Sequence, residues 1–175
     1  MIEEPLPETP ELRLELYFNA RTRPFGNTRA EIIKNLGKPK LERTEKDLER
    51  AGQLTSEEKR YLLGHISVPI NQIIELAYDG LLLRILKVNS PPYREFVYDM
   101  RVTSSRYRML WNLNVGSPRQ EIRRILGDPS NPNDTKDSYN VVDPDDLSGL
   151  DYIDLLTFSY QGNLVDKISF WLYLD

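Results

Sequence analysis

Cysteine is absent from the 175 residues, and there is one histidine, His65, at the end of a helical pattern beside Gly64. Without cysteine the chain has no disulfide, no thiol nucleophile and no thiolate metal ligand. With one isolated histidine, neither a Ser-His-Asp triad nor a His/Cys zinc cluster can be read from spacing, and His65 reads as a packing or surface residue. There is no Gly-rich phosphate loop, nucleophile elbow or dinucleotide fingerprint. The sequence therefore calls for no cofactor or metal and gives no sign of an enzyme. Clustered basic charge is missing too: the formal net charge is −4, which argues against nucleic acid as a partner. No apolar run approaches the roughly 20 residues of a membrane-spanning helix. The opening stretch, Met1 to Pro10, has no apolar targeting core, and its Pro and Glu content has the composition of a tether. That reading places a periplasmic or outer-membrane-associated protein, with a lipid anchor upstream of Ile2, ahead of a cytoplasmic one.

With 39% hydrophobic and 29% charged residues, the chain can bury an ordinary core. The stretch Gly26–Pro39 recurs as Gly116–Pro129, seven of fourteen positions being identical without a gap. The matches are Gly26/Gly116, Arg29/Arg119, Glu31/Glu121, Ile32/Ile122, Leu36/Leu126, Gly37/Gly127 and Pro39/Pro129. Each copy is followed by a second shared element, Tyr78-Asp79-Gly80 and Tyr160-Gln161-Gly162. Recurrence in the same order points to a repeated supersecondary unit.

Alternation of Leu12, Leu14, Leu16 and Phe18 with polar neighbours predicts a leading strand. Each repeated stretch predicts a short helix. Asn27 or Thr28 caps the first, with Glu31 completing the box; Ser117 caps the second, with Pro118 at its first position and Gln120 completing the pattern; Gly37 and Gly127 stop them. Thr55 to Glu58 is a further capping pattern ahead of a helix ending near Gly64. Strands follow over Ile74–Tyr78, Leu81–Val88 and Arg94–Val102, with Asp79-Gly80 as a hairpin turn. A ragged strand over Tyr107–Leu113 opens the second half. Asp128–Gly149 reads as a long loop containing about one helical turn, and Tyr152–Tyr160 with Leu164–Leu174 as a closing hairpin. The fold class is thus α+β: a tether (1–11) and two tandem modules (12–103 and 104–175), each a helical pair on one face of an antiparallel sheet.

On the last strand Leu164, Ile168, Phe170, Leu172 and Leu174 face the core with Leu156, Phe158 and Tyr160. Val165, Lys167, Ser169, Trp171 and Tyr173 face the other way. The corresponding residues of the first module are Leu81, Leu83, Ile85 and Lys87, read as an inter-module contact or as covered by the loop. Trp171 and Tyr173 are residue types favoured as interface anchors, so they head the candidate partner-binding set, with Lys167 and, from the loop, Tyr139, Asp143 and Asp145. The acidic run Asp143–Gly149 is rich in oxygen ligands, but its spacing does not match an EF-hand, and it reads as a solvated loop rather than a calcium site.

A Gly, a capping Ser or Thr, a short helix ending in Leu-Gly-x-Pro and a later Tyr-x-Gly hairpin resemble the module of the SmpA/BamE-like outer-membrane assembly lipoproteins. Two such modules in one chain are similar to the β-lactamase inhibitory protein family. The match rests on Gly26–Pro39, Gly116–Pro129, Tyr78 with Gly80, and Tyr160 with Gly162, which are turn and cap positions that carry no chemistry. The resemblance implies two sheets forming a concave protein-binding surface, with helices outside; that family's disulfides are absent here, and none of its contact residues maps onto this chain. The expected function is a non-catalytic module that binds or inhibits a protein partner at the cell envelope. The alternatives are a structural envelope lipoprotein of the assembly type, and a small hydrolase working with paired carboxylates.

Overall fold

A computed structural model of the chain describes residues 5–63, 71–141 and 154–172, and over these the fold is α+β with antiparallel β-sheet. In chain order the described elements are α1 (Pro10–Asn19), α2 (Arg29–Leu36), β1 (Leu41–Thr44), α3 (Glu45–Arg50), α4 (Ser56–Leu63), β2 (Gln72–Tyr78), β3 (Leu81–Val88) and β4 (Arg94–Val102). A 3₁₀ turn at Leu110–Asn112, α5 (Arg119–Leu126), β5 (Asn131–Pro132), β6 (Lys136–Val141), β7 (Asp154–Gln161) and β8 (Leu164–Trp171) complete it. Packing divides the described residues into two compact units, one within residues 25–100 and one within residues 5–24 and 101–172.

In the unit of residues 25–100, α2 starts as its capping box requires. The Glu31 carboxylate accepts from the Asn27 and Thr28 amides at 2.8 and 3.2 Å, and the Thr28 hydroxyl accepts from the Glu31 amide. Thr28 is the cap; Asn27 instead accepts the Val97 amide of β4 at 2.9 Å. At the other end Gly37, at φ 81°, closes the helix by donating to the Ile33 carbonyl, a backbone region open mainly to glycine.

Beyond α2, β1, β2 and β3 form an antiparallel meander in which Glu42 opposes Leu76 and Leu76 opposes Leu83. Residues directly opposite share a face, so Leu81, Leu83 and Ile85 lie with Ile74, Leu76 and Tyr78, all three fully buried or nearly so. They lie on the side that α2 covers, not on a second face left to an inter-module contact or to the loop, as the sequence suggests. Helix α2 stands over this side: Arg29 grips Glu42, and the Tyr78 hydroxyl donates to the Gly37 carbonyl at 2.9 Å. The reverse side, with Ile73, Glu75 and Arg84, meets α4 through Glu58. Helices therefore cover both faces here, in place of the helical pair on one face that the sequence pattern predicts.

In the other unit, residues 12–18 are helical, not extended. Thr9 accepts from the Leu12 amide and Pro10 takes the first helical position, a start signal that outranks the leucine alternation. Tyr17 and Phe18 of α1 are buried, as are Ala20 and Arg21 in the turn that follows, while Leu12 is exposed. Their rings meet the sheet, Tyr17 lying 5.9 Å from both Phe158 and Phe170, and Phe18 5.9 Å from Phe170. Helix α5 repeats the ending of α2, with Gly127 at φ 83° beside Gly37 at 81°. Its start differs from expectation: Ser117 does not cap the helix. Its hydroxyl donates to the Asn112 carbonyl and accepts the Asn114 amide, and Pro118 stands at the cap position with no side-chain bond.

The ragged strand expected at Tyr107–Leu113 is a turn in which Trp111 and Asn112 both adopt left-handed backbone, at φ 54° and 56°. Bonds from the Tyr17 hydroxyl to the Leu113 carbonyl and from the Met109 amide to the Asn114 side chain hold it there. Asn112→Gly removes the penalty at an exposed site, so it is expected to raise stability by about 0.5–1 kcal/mol, read as a higher urea midpoint.

Asp128–Gly149 is not simply a loop. Lys136–Val141 forms β6, paired with β7, and β7 pairs with β8. Between Ser159 and Tyr160 the register shifts: Ser159 opposes Lys167 and Tyr160 opposes Val165, so Asp166 is an extra residue. This bulge interrupts the alternation. Val165 turns inward at 2% exposure and Leu164 outward at 51%, the reverse of the sequence reading.

Candidate functional site

Each unit contains a buried carboxylate held by arginines. In β6, Asp137 is fully buried and accepts Arg119 (3.2 and 2.6 Å), Arg123 (3.0 and 2.7 Å) and the Tyr160 hydroxyl (3.0 Å). Arg119 also lies 4.7 Å from the Tyr160 ring and donates to the Asn133 and Asp134 carbonyls, which fixes the turn leading into β6. Burial alone would raise the Asp137 carboxyl; the two guanidinium groups and the hydroxyl outweigh it and bring it to about 2. In the other unit Arg84 bridges Glu58 and Glu75 at 2.8 Å each, Arg43 also bonds Glu75, and the Tyr98 hydroxyl donates to Glu58 at 2.6 Å. Burial pushes Glu58 up, but Tyr98, the Thr55 amide and Arg84 hold it below its ordinary value. A general acid for hydrolysis needs the opposite shift. These groups tie helices to strands; their chemistry is that of ionised pins.

The repeat marks Arg29 and Arg119 as an identity without giving them a task. Each clasps an acid from a strand after its helix, Arg29 taking Glu42 of β1, the next strand, and Arg119 taking Asp137 of β6, the second strand on. Sequence reading gave Glu58 only a capping role, placed Asp137 in a loop, and passed over Arg84 because an arginine inside a strand pattern reads as a solvated position.

The other feature is the face of β6, β7 and β8 opposite α1 and α5. The strand registers arrange it in three cross-strand rows. Lys136, Ser159 and Lys167 make the first; Ser138, Thr157 and Ser169 the second; Asn140, Leu155 and Trp171 the third. The Ser138 and Thr157 hydroxyls are 3.1 Å apart. Lys136 is exposed, Leu155 is 36% exposed, and Ser138, Asn140, Thr157, Lys167, Ser169 and Trp171 are half-buried. The side is graded from cationic through hydroxyl-bearing to apolar, and of these nine residues Ser159 alone is buried.

Of the sequence-derived candidates, Trp171 and Lys167 lie on this face. Tyr139 does not: it points to the opposite side at 1% exposure, edge-on to Phe158, and its hydroxyl donates to the Gly127 carbonyl at 3.0 Å. Strand pairing sets Tyr139 inward with Asp137 and Val141, which a loop reading could not anticipate. Burial raises its hydroxyl above the ordinary range. Tyr173, Asp143, Asp145 and His65 lie outside the described residues. Lys136, Ser138, Leu155 and Thr157 were missed; the alternation in Lys136–Val141 was the available signal, obscured by an aspartate at an inward position. Among the described residues no group of three or more His, Cys, Asp or Glu side chains is placed to hold a metal ion, and no helix is long and apolar enough to cross a membrane. No protein-family model, curated protein or solved structure matches the chain.

Proposed function

We propose that this chain is a non-catalytic protein-binding protein of the bacterial cell envelope, built from two copies of one module, which binds or inhibits a partner through the open face of β6, β7 and β8. The observation that carries the reading is the pairing of Leu155 with Trp171 on a half-exposed side whose reverse is fully packed. Aromatic and aliphatic side chains left at a polar rim are what interface anchors look like before the partner arrives. The two-copy reading draws on matching conformations at the repeated glycines, Gly26 with Gly116 at φ 104° and 96°, and Gly37 with Gly127 at 81° and 83°. In each copy a glycine-closed helix precedes an antiparallel meander. The envelope location rests on the resemblance of the repeated module to envelope assembly proteins.

The test is Trp171→Ala. It is expected to keep the native circular dichroism spectrum and to weaken capture of the envelope partner at least about 10-fold, the loss typical of a removed aromatic anchor. Undiminished capture sinks the reading, and unfolding of the variant reassigns Trp171 to core packing.

A further inference from the structure

Ser159 stands in the middle of the first row of the open face, with Lys136 directly opposite on one side and Lys167 on the other. Ser159 is 8% exposed, and its Oγ has no hydrogen-bond partner. Leaving a buried hydroxyl unpaired costs about 1–3 kcal/mol, and such groups in native proteins call for an explanation. A donor without an acceptor, at a strand position paired with a lysine on each neighbouring strand, has the chemistry of a site for an oxyanion. The adjoining bulge is the kind of irregularity that re-aims side chains beside binding sites.

We infer that Lys136, Ser159 and Lys167 form a carboxylate subsite for an extended acidic segment of a protein partner. The inference rests on the protein-binding reading of this face and adds the chemistry of what binds. Charge decides the class of occupant, because the three rows contain two lysines and no acid. Of the acids next to those lysines in the chain, Asp137 is buried on the opposite side and Asp166 is the bulge residue. The rows also set a spacing. The lysine row and the Leu155–Trp171 row are four residues apart along each strand, about 13 Å at the usual rise. A segment lying extended along the strands would meet them with an Asp or Glu and an apolar residue four positions apart. The hydroxyl row between them accommodates small polar side chains.

The experiment is a selection of random eight-residue peptides displayed on phage, run in parallel on the wild-type chain, on Lys136→Ala/Lys167→Ala and on Trp171→Ala. Wild-type selection is expected to enrich Asp or Glu four positions from Leu, Ile, Phe or Trp. The selected peptides should bind the double-lysine variant at least about 10-fold more weakly and lose affinity as salt is raised. Ser159→Ala should bind them about 3- to 10-fold more weakly while unfolding at the same or a higher urea concentration, because it removes an unpaired buried hydroxyl. A purely structural serine would show the reverse. Asp166→Asn should tighten binding. Peptides that require Trp171 but show no acid enrichment overturn the carboxylate subsite and leave the open-face reading standing. Peptides indifferent to Trp171 and to both lysines, or the recovery of none, overturn both.

Discussion

Arg84→Ala is expected to destabilise the chain by about 3–5 kcal/mol, the largest effect of any single substitution proposed for it. Arg84 is buried, and its Nε and Nη1 groups bond Glu75 and Glu58, which are themselves buried. With Arg43 the cluster contains two acids and two guanidinium groups and is electrically balanced. Removing Arg84 leaves an uncompensated carboxylate in a medium that solvates it poorly, which is why breaking a buried pair costs more than the pair itself contributes. Burial tends to lower the Arg84 guanidinium, and its bonds to Glu75 and Glu58 overcome this and raise it. The urea midpoint measures the loss. Combining Arg84→Met with Glu58→Gln and Glu75→Gln should recover much of it, because the three groups act as one. The deficit should also shrink on acidification. Glu58 is depressed in the intact protein, so its contribution is present above its unfolded pKa and is lost as pH falls; without Arg84 its carboxyl moves up and accepts a proton sooner. A deficit that is the same at pH 4 and pH 7 contradicts this account.

Asp137→Asn is expected to cost about 2–4 kcal/mol, somewhat less, because Arg123 and Arg119 remain partly solvated once their partner is neutral. The accompanying pH dependence is the sharper measurement. Asp137 stands at about 2 in the folded chain against an ordinary 3.8. A depressed carboxyl stabilises the fold fully above its unfolded pKa and loses that contribution as pH falls toward the folded one. About 2 kcal/mol should therefore disappear between roughly pH 5 and pH 2 in the intact protein. The amide that replaces the carboxyl in the variant does not titrate, so the variant's stability should be flatter over that window. Equal slopes for the two proteins would show that Asp137 is not the group responsible.

The repeat was legible in the sequence because its signals are short-range. Gly37 and Gly127 end their helices with φ values two degrees apart, and the helix endings could be placed from sequence alone. The open face was legible in part. Trp171 and Lys167 were found by counting along one strand, but the count failed at Val165, where Asp166 adds a residue that no alternation rule reveals. Lys136–Val141 was missed for a related reason: its inward positions include Asp137, which is apolar in neither composition nor hydropathy and is buried only because Arg119, Arg123 and Tyr160 neutralise and bind it.

By itself the sequence determined the caps and turns: the boxes at Thr28 with Glu31 and Thr55 with Glu58, the glycine stops, and the hairpins at Gly80 and Gly162. These depend on atoms within a few residues of one another, so they form much the same way wherever the segment is placed. The tertiary structure alone decided that both faces of β2 and β3 are covered, that Tyr139 points inward, and that Ser159 lies unpaired between two lysines. Periodicity states which residues share a side. What covers that side is supplied by groups distant in the chain, as Glu58 is to Arg84 and Tyr17 is to Phe158.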